Sequence, residues 1–140
     1  MVVNGVLEYA MSFTEGKTPY ETFLQRMGAY LKPEGRLLIA IENRLGLKYF
    51  AGAPEDHTDL HFFGINGYPG NQSVRTFSKN ELGELLENSG FPFLRFYYPY
   101  PDYKFPTEIF TDESLYTNPT EEAILYTQIR QQIFLQKVKA

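Results

Sequence analysis

Apolar positions along the chain change period several times, and each change marks an element. Val2, Val3, Val6 and Leu7 read as a buried strand running into a turn. Thr18-Pro19-Tyr20-Glu21 then has the form of a helix start: Thr18 suits the N-cap, Pro19 the first helical position, and Glu21 can close a capping box. Tyr20, Phe23, Leu24, Met27 and Leu31 follow at helical spacing and predict an amphipathic helix. Lys32-Pro33-Glu34-Gly35 is a turn, and Leu37 to Ile41 is apolar without alternation. A short continuous run of this kind fits a strand covered on both faces, here with Glu42-Asn43-Arg44 as its polar end.

From Leu45 to Arg75 no period is sustained. Both histidines lie here, with five glycines and many apolar side chains. A structureless stretch of about 30 residues is uncommon in a compact domain and is usually functional. Its apolar content predicts an ordered, packed lid over residues 45–75. Ser78-Lys79-Asn80-Glu81 is a second capping box, with Leu82, Leu85 and Leu86 as the stripe and Gly90 as the stop. Phe91 to Tyr98 reads as a strand, and Tyr97 to Pro106 as an extended edge or loop because of its prolines. Asn118 to Glu122 has the form of a helix start, followed by Leu125, Ile129 and Ile133 at spacing i+4. A strand over Ile133 to Val138 competes with that helix, so 117–140 is a C-terminal helix or an edge strand.

Strand, helix, strand, loop, helix, strand is the order of βαβ units, which predicts an α/β fold: a mostly parallel sheet with flanking helices. Three strands make a poor core of that kind, and the first begins at the first residue. The expectation is the second half of a doubly wound domain whose first half is missing or comes from another chain. In such sheets ligands bind beyond the carboxyl ends of the strands. Those ends fall at Asn4 to Glu8 and at Glu42 to Arg44, and the long loop leaves from the second.

Composition narrows the function classes. The chain has 140 residues, 43% hydrophobic and 21% charged, with a net charge of −4. Mild acidity argues against nucleic acid or an anionic membrane surface as partner. There is no Cys, which excludes disulfides, thiolate metal sites and cysteine nucleophiles. No apolar run of ~18 residues predicts a membrane span, and no leader is visible, so the default location is cytoplasmic. Aromatics reach 16% with no Trp, and ten of the Phe and Tyr residues lie between Phe91 and Tyr116.

Several segments together are similar to a known family. Val2-Val3-Asn4-Gly5-Val6-Leu7-Glu8-Tyr9 resembles the fourth-strand segment of class I S-adenosylmethionine-dependent methyltransferases. Leu31 to Ile39 resembles that family's LKPGG turn and fifth strand, with Glu34 in place of the commoner Gly. Phe77-Ser78 through Gly90-Phe91 resembles the following helix and sixth strand. Asn43 to His57 and Tyr98 to Lys104 resemble a bacterial subgroup that accompanies glycosyltransferases in surface-polysaccharide biosynthesis. The resemblance covers residues 1–116 and implies the C-terminal half of a Rossmann-like methyltransferase domain. It lacks the glycine-rich cofactor loop and the ribose-binding acid of the N-terminal half. What it implies is methyl transfer from S-adenosylmethionine to a small molecule, saccharide or glycan precursor, by an enzyme of which this chain is a fragment, inactive alone. A glycosyltransferase partner or domain, and a second copy completing the sheet, are the associations it implies. The alternative is a non-catalytic interaction module beside a glycosyltransferase.

The resemblance puts Asn4, Gly5 and Glu8 beside the cofactor; read without it, they form a strand-to-helix turn with Glu8 near a helix N-terminus. Glu42, Asn43 and Arg44 face the crevice by the switch-point rule and are expected to bind substrate, although Arg44 also fits a solvated loop charge. His57, with Asp56 adjacent, is the candidate general base, since methyl transfer to a hydroxyl gains from a base near neutrality. A lid histidine satisfied by backbone is the alternative. Asp56 and His61 are a weak metal signal, and no metal site is expected. Asp102 and Lys104, within a run of Tyr and Pro, suit a sugar-binding surface, against a packing role for the aromatics around them.

Overall fold

The computed structural model describes residues 1–71, 73–100, 103–117 and 132–136. Strand β1 is Val2–Asn4 and leads through a 3-10 turn at Leu7–Tyr9 into the short helix α1, Ala10–Phe13. Helix α2 is Pro19–Ala29 and strand β2 is Leu38–Glu42. Helix α3, Leu47–Phe50, lies inside the long loop, and α4 is Lys79–Asn88. Strands β3, Phe96–Tyr100, and β4, Glu108–Thr111, precede helix α5, Asp112–Thr117, and strand β5, Gln132–Gln136.

β1 and β2 are parallel, with Val3 opposite Ile39, and α2 makes the crossover between them. The turn before β2 closes with the Gly35 N–H donating to the Lys32 carbonyl at 2.8 Å. A Cβ at Gly35 would lie 2.8 Å from that same oxygen, so the turn admits no side chain there. Along β2 the side chains alternate: Ile39 and Ile41 enter the core, and Glu42 leaves on the opposite face. The core joins Leu7 and Ala10 to Phe23 and Leu24 of α2, Leu82 and Leu86 of α4, and Phe91, Phe96 and Tyr98.

The strand order is β1-β2-β5-β3-β4. Among the described strands only β1 and β2 pair in parallel; β5 is antiparallel to both β2 and β3, and β4 is antiparallel to β3. The expected mostly parallel sheet is therefore corrected to a mixed one, in a mixed α/β chain. The physical reason is the connections: 101–107 between β3 and β4 is too short for a parallel crossover, which needs about a dozen residues or more. The edge position expected for the last strand also gives way, because β5 lies between β2 and β3. Residues 118–131, where the competing helix was expected, lie outside the described residues.

The proline-rich segment is ordered as sheet. Pro99 is tolerated because β5 pairs with β3 at Phe96 and Tyr97, before the proline, while Pro99 stands opposite Ile109 of β4. Asp112 ties this region down, accepting hydrogen bonds from Lys79 Nζ at 2.6 Å and from the Tyr98 hydroxyl at 2.5 Å. The capping box of α4 forms in full: the Glu81 N–H donates to Ser78 Oγ at 3.3 Å, and the Ser78 N–H to Glu81 Oε2 at 2.8 Å. The Thr18 cap does not. Its side chain makes no capping bond, and α2 starts on Pro19 with the Thr22 N–H donating to the Thr18 carbonyl. Among the described residues no helix is long and apolar enough to cross a membrane.

Candidate functional site

The parallel pair brings the carboxyl ends of β1 and β2 side by side. The Gly5 N–H extends the pairing by donating to the Ala40 carbonyl at 3.0 Å. Gly5 then turns the chain with φ of +63°, a conformation that favours glycine. That turn directs Glu8 back toward the end of β2, where Glu42 emerges. Both carboxylates are buried, Glu8 at 1% and Glu42 at 5% exposure. The backbone of Glu8 is held by the Arg75 N–H, which donates to its carbonyl at 2.8 Å.

The long loop supplies the third group. Its order comes from Glu55, a buried carboxylate that gathers the donors of the loop around itself. Oε2 accepts from the N–H groups of His57 and Thr58 and from the Thr58 hydroxyl; Oε1 faces His57 Nδ1 at 2.9 Å and accepts from the Tyr68 hydroxyl at 3.1 Å. The imidazole is thereby fixed with Nε2 toward the strands, 3.7 Å from Glu8 Oε1 and 3.8 Å from Glu42 Oε2. The ring of Tyr9 packs edge-on against it at 5.4 Å.

A cleft of about 370 Å³ opens over these groups, lined by Asn4, Gly5, Glu8, Tyr9, Glu42, Asp56, His57, Tyr103 and Lys104. The Tyr103 hydroxyl donates to Glu42 Oε1 at 3.2 Å and forms the far wall.

Around His57 the carboxyl groups dominate: Glu8, Glu42 and Glu55 surround the one imidazole, and Lys104 stands on the cleft wall. Burial alone would pull the His57 pKa down, but hydrogen bonding to Glu55 and Glu8 and the charges of Glu55 and Glu42 hold it up at about 10. Burial pushes the Glu42 carboxyl above its ordinary value. Glu55 goes the other way, because its hydrogen bonds from His57 and Thr58 outweigh its burial and hold it at about 2. Held this high, the imidazole favours its protonated form, in which both ring nitrogens are donors.

The expected site residues are thus sorted. Asn4, Gly5, Glu8, Glu42, Asp56, His57 and Lys104 share one cleft. Asp56 does not orient His57; it meets Lys48 Nζ and accepts from the Tyr49 hydroxyl at 3.0 Å. Asn43 and Arg44 do not line the cleft. The Asn43 side chain accepts from the Leu45 N–H at 2.9 Å, and Arg44 binds Glu81 and the carbonyls of Gly64 and Ile65. His61 Nδ1 is engaged by the Gly52 carbonyl at 2.9 Å. Asp102 lies outside the described residues.

Sequence reasoning missed Glu55, Tyr9 and Tyr103. For Glu55 a signal exists: a carboxylate two and three residues before N–H donors can close a local turn, as Asn and Asp do. Asp56 is equally acidic and closer, so residue type does not choose between them.

No family model and no curated protein matches the chain. Among solved structures it is similar to a candidate O-methyltransferase from Nostoc punctiforme, at 12% identity and a TM-score of 0.49. That similarity covers 99% of this chain and 30% of the other, so the chain spans less than a third of that protein's length.

Proposed function

We propose that this chain forms the acceptor side of an S-adenosylmethionine-dependent methyl-transfer site, with the cleft between β1, β2 and the long loop as its locus. The carrying observation is the convergence of Asn4, Gly5 and Glu8, from the end of β1, with Glu42, from the end of β2. The resemblance of the VLEY segment expects the cofactor at the end of β1, and the rule that ligands of open α/β sheets bind beyond the carboxyl ends of parallel strands puts the acceptor at the end of β2. The residues fit a cationic cofactor. Two buried carboxylate oxygens, Glu8 Oε2 and Glu42 Oε2, have no hydrogen-bond partner. The bare Gly5 leaves the approach to Glu8 open; a Cβ there would meet Glu8 Oε1 at 3.5 Å and the Tyr103 hydroxyl at 3.6 Å.

When bound, the cofactor supplies an electrophilic methyl group on a positively charged sulfur. Asn4, Gly5 and Glu8 would hold it. Tyr9, Tyr103 and Lys104 would flank the acceptor, a hydroxyl-bearing small molecule or saccharide, and their part is positioning. Glu42, raised by burial and with Oε2 free of hydrogen bonds, is better suited than His57 to receive the acceptor's proton. His57, held by Glu55, fixes the spacing of Glu8 and Glu42.

Calorimetric titration of S-adenosylmethionine into this chain, and into one extended at its N-terminus, tests the reading. The extended chain should bind, and Glu8→Gln should weaken binding by about tenfold, the equivalent of ~1.4 kcal/mol. A folded extended chain that takes up no cofactor overturns it and favours a non-catalytic module.

A further inference from the structure

We propose that Glu8, Glu42 and His57 form a binding site for a divalent first-row transition metal ion such as Zn²⁺ or Mn²⁺. The proposal stands on these three side chains and not on the methyl-transfer reading. One ligand-type atom from each lies within 4.8 Å of the other two. His57 Nε2 stands 3.7 Å from Glu8 Oε1 and 3.8 Å from Glu42 Oε2. Metal–ligand bonds of about 2.0–2.2 Å in a tetrahedral arrangement set donors about 3.4 Å apart, so each carboxylate needs to close on His57 by a few tenths of an ångström, and the two carboxylate oxygens, within 4.8 Å of each other, must close to the same spacing.

The second observation is independent of the clustering. Glu8 and Glu42 are both more than nine-tenths buried, and each presents an oxygen, Oε2, with no hydrogen-bond partner. Buried carboxylate oxygens are ordinarily paired, and leaving one unpaired carries a desolvation cost. A cation at Glu42 Oε2 removes that cost there, and one held by the Glu8 carboxylate, whose Oε1 faces His57, offsets it for the other oxygen of the same group.

The surroundings are also those of a metal ligand set. His57 Nδ1 is tied to Glu55 Oε1 at 2.9 Å, so Nε2 is the nitrogen that faces the ion, which binds there by displacing the Nε2 proton to solvent; a carboxylate behind a ligating histidine is the recurrent way of fixing its tautomer. Glu55 is itself held by Thr58 and Tyr68, so the imidazole cannot swing away. The Tyr103 hydroxyl occupies Glu42 Oε1 and leaves Oε2 for the ion. One imidazole with two carboxylates favours Zn²⁺, Mn²⁺ or Fe²⁺ over Mg²⁺ or Ca²⁺, which prefer all-oxygen sites. Three protein ligands at the floor of an open cleft leave a coordination position for a water or a substrate oxygen, the pattern of catalytic rather than structural metal sites.

The test is titration of Zn²⁺ alone into the full chain, followed by calorimetry and by ¹⁵N–¹H correlation of the two imidazoles. One equivalent should bind and shift the His57 resonances into the Nδ1–H, Nε2-metal form, with His61 unmoved. Glu42→Gln and Glu8→Gln should each lose about a hundredfold in affinity or more, since disturbing even a residue behind a ligand costs 10–100-fold. Unchanged circular dichroism in both variants would separate loss of ligand from loss of fold, and Mn²⁺ electron paramagnetic resonance on the wild type supplies a measurement that needs no variant. Zn²⁺ uptake that shifts His61 and not His57, or that survives Glu42→Gln undiminished, overturns the proposal.

Discussion

Arg44 and Glu81 meet fork to fork: Nε lies 2.6 Å from Oε2 and Nη2 3.0 Å from Oε1. This joins the residue just past β2 to the third residue of α4, and Arg44 Nη1 reaches on to the carbonyls of Gly64 and Ile65 at 3.2 Å. One guanidinium therefore holds strand end, helix start and long loop together. Arg44→Ala is expected to cost about 2 kcal/mol, because it removes the paired fork from a partly buried carboxylate, leaving it the Ser78 N–H and Arg75, and takes a donor from two carbonyls. Arg44→Lys should recover little, since an ammonium cannot form the paired fork. Urea unfolding midpoints of the three proteins decide this; equal midpoints for wild type and Arg44→Lys would count against the fork.

Glu81 gives the same contact a pH dependence. Burial works against its charge, but the bonds from Arg44 and Ser78 prevail and hold its pKa at about 2, below the ordinary 4.5. A depressed folded-state pKa means that the ionised form is favoured by folding. The stabilisation is complete above pH 4.5 and fades as pH falls toward 2. The stability gap between wild type and Glu81→Gln should accordingly be widest above pH 4.5 and narrow below it. Denaturant titrations at stepwise pH measure the gap, and one that stays constant to pH 2 removes the assignment.

The two helix starts make a paired prediction. Ser78→Ala deletes an acceptor that the Glu81 N–H uses and should cost about 1 kcal/mol. Thr18→Ala deletes a side chain without a capping bond, so its cost should stay below about 0.5 kcal/mol. Chemical denaturation of both variants distinguishes them; comparable losses would mean that Thr18 caps α2 in solution.

Glu55 and Asp56 are adjacent and should behave oppositely. Glu55→Gln breaks a buried cluster of charged hydrogen bonds around His57 and Thr58 and is expected to destabilise by about 2–3 kcal/mol. Asp56→Asn removes a contact to Lys48 near the surface, worth less than about 1 kcal/mol. Thermal melts of the pair, with His57 ring resonances as a local reporter, test the contrast. A larger loss for Asp56→Asn would show that the wrong carboxylate has been placed behind the imidazole.

What could be read from sequence follows the range over which each signal acts. The stripe of α2, the capping box of α4 and the apolar run of β2 are local patterns, and each is an element in the structure. The place of β5 is a long-range pairing; spacing at Leu125, Ile129 and Ile133 cannot say whether a strand will be claimed by an open gap between β2 and β3. The cleft was half legible. The resemblance gave Glu8, and the switch-point rule selected Glu42 because it depends only on where parallel strands end. It selected Arg44 for the same reason and missed that Glu81, 37 residues on, takes up its guanidinium. The raised pKa of His57 was not legible at all, since it depends on three carboxyl groups from three separate segments.

The position of β5 bears on how the chain is made. Of the described strands it is the last in chain order, and it joins the two parts of the sheet. Until it emerges, β1 with β2 and β3 with β4 are separate two-stranded ribbons, each with an open edge where Gln132–Gln136 will lie. Such ribbons are marginal on their own, and open edges invite pairing with other chains. A chain made only to a point before Gln132 therefore holds an unfinished sheet. A stop shortly before residue 132 would fix the molecule in that aggregation-prone form.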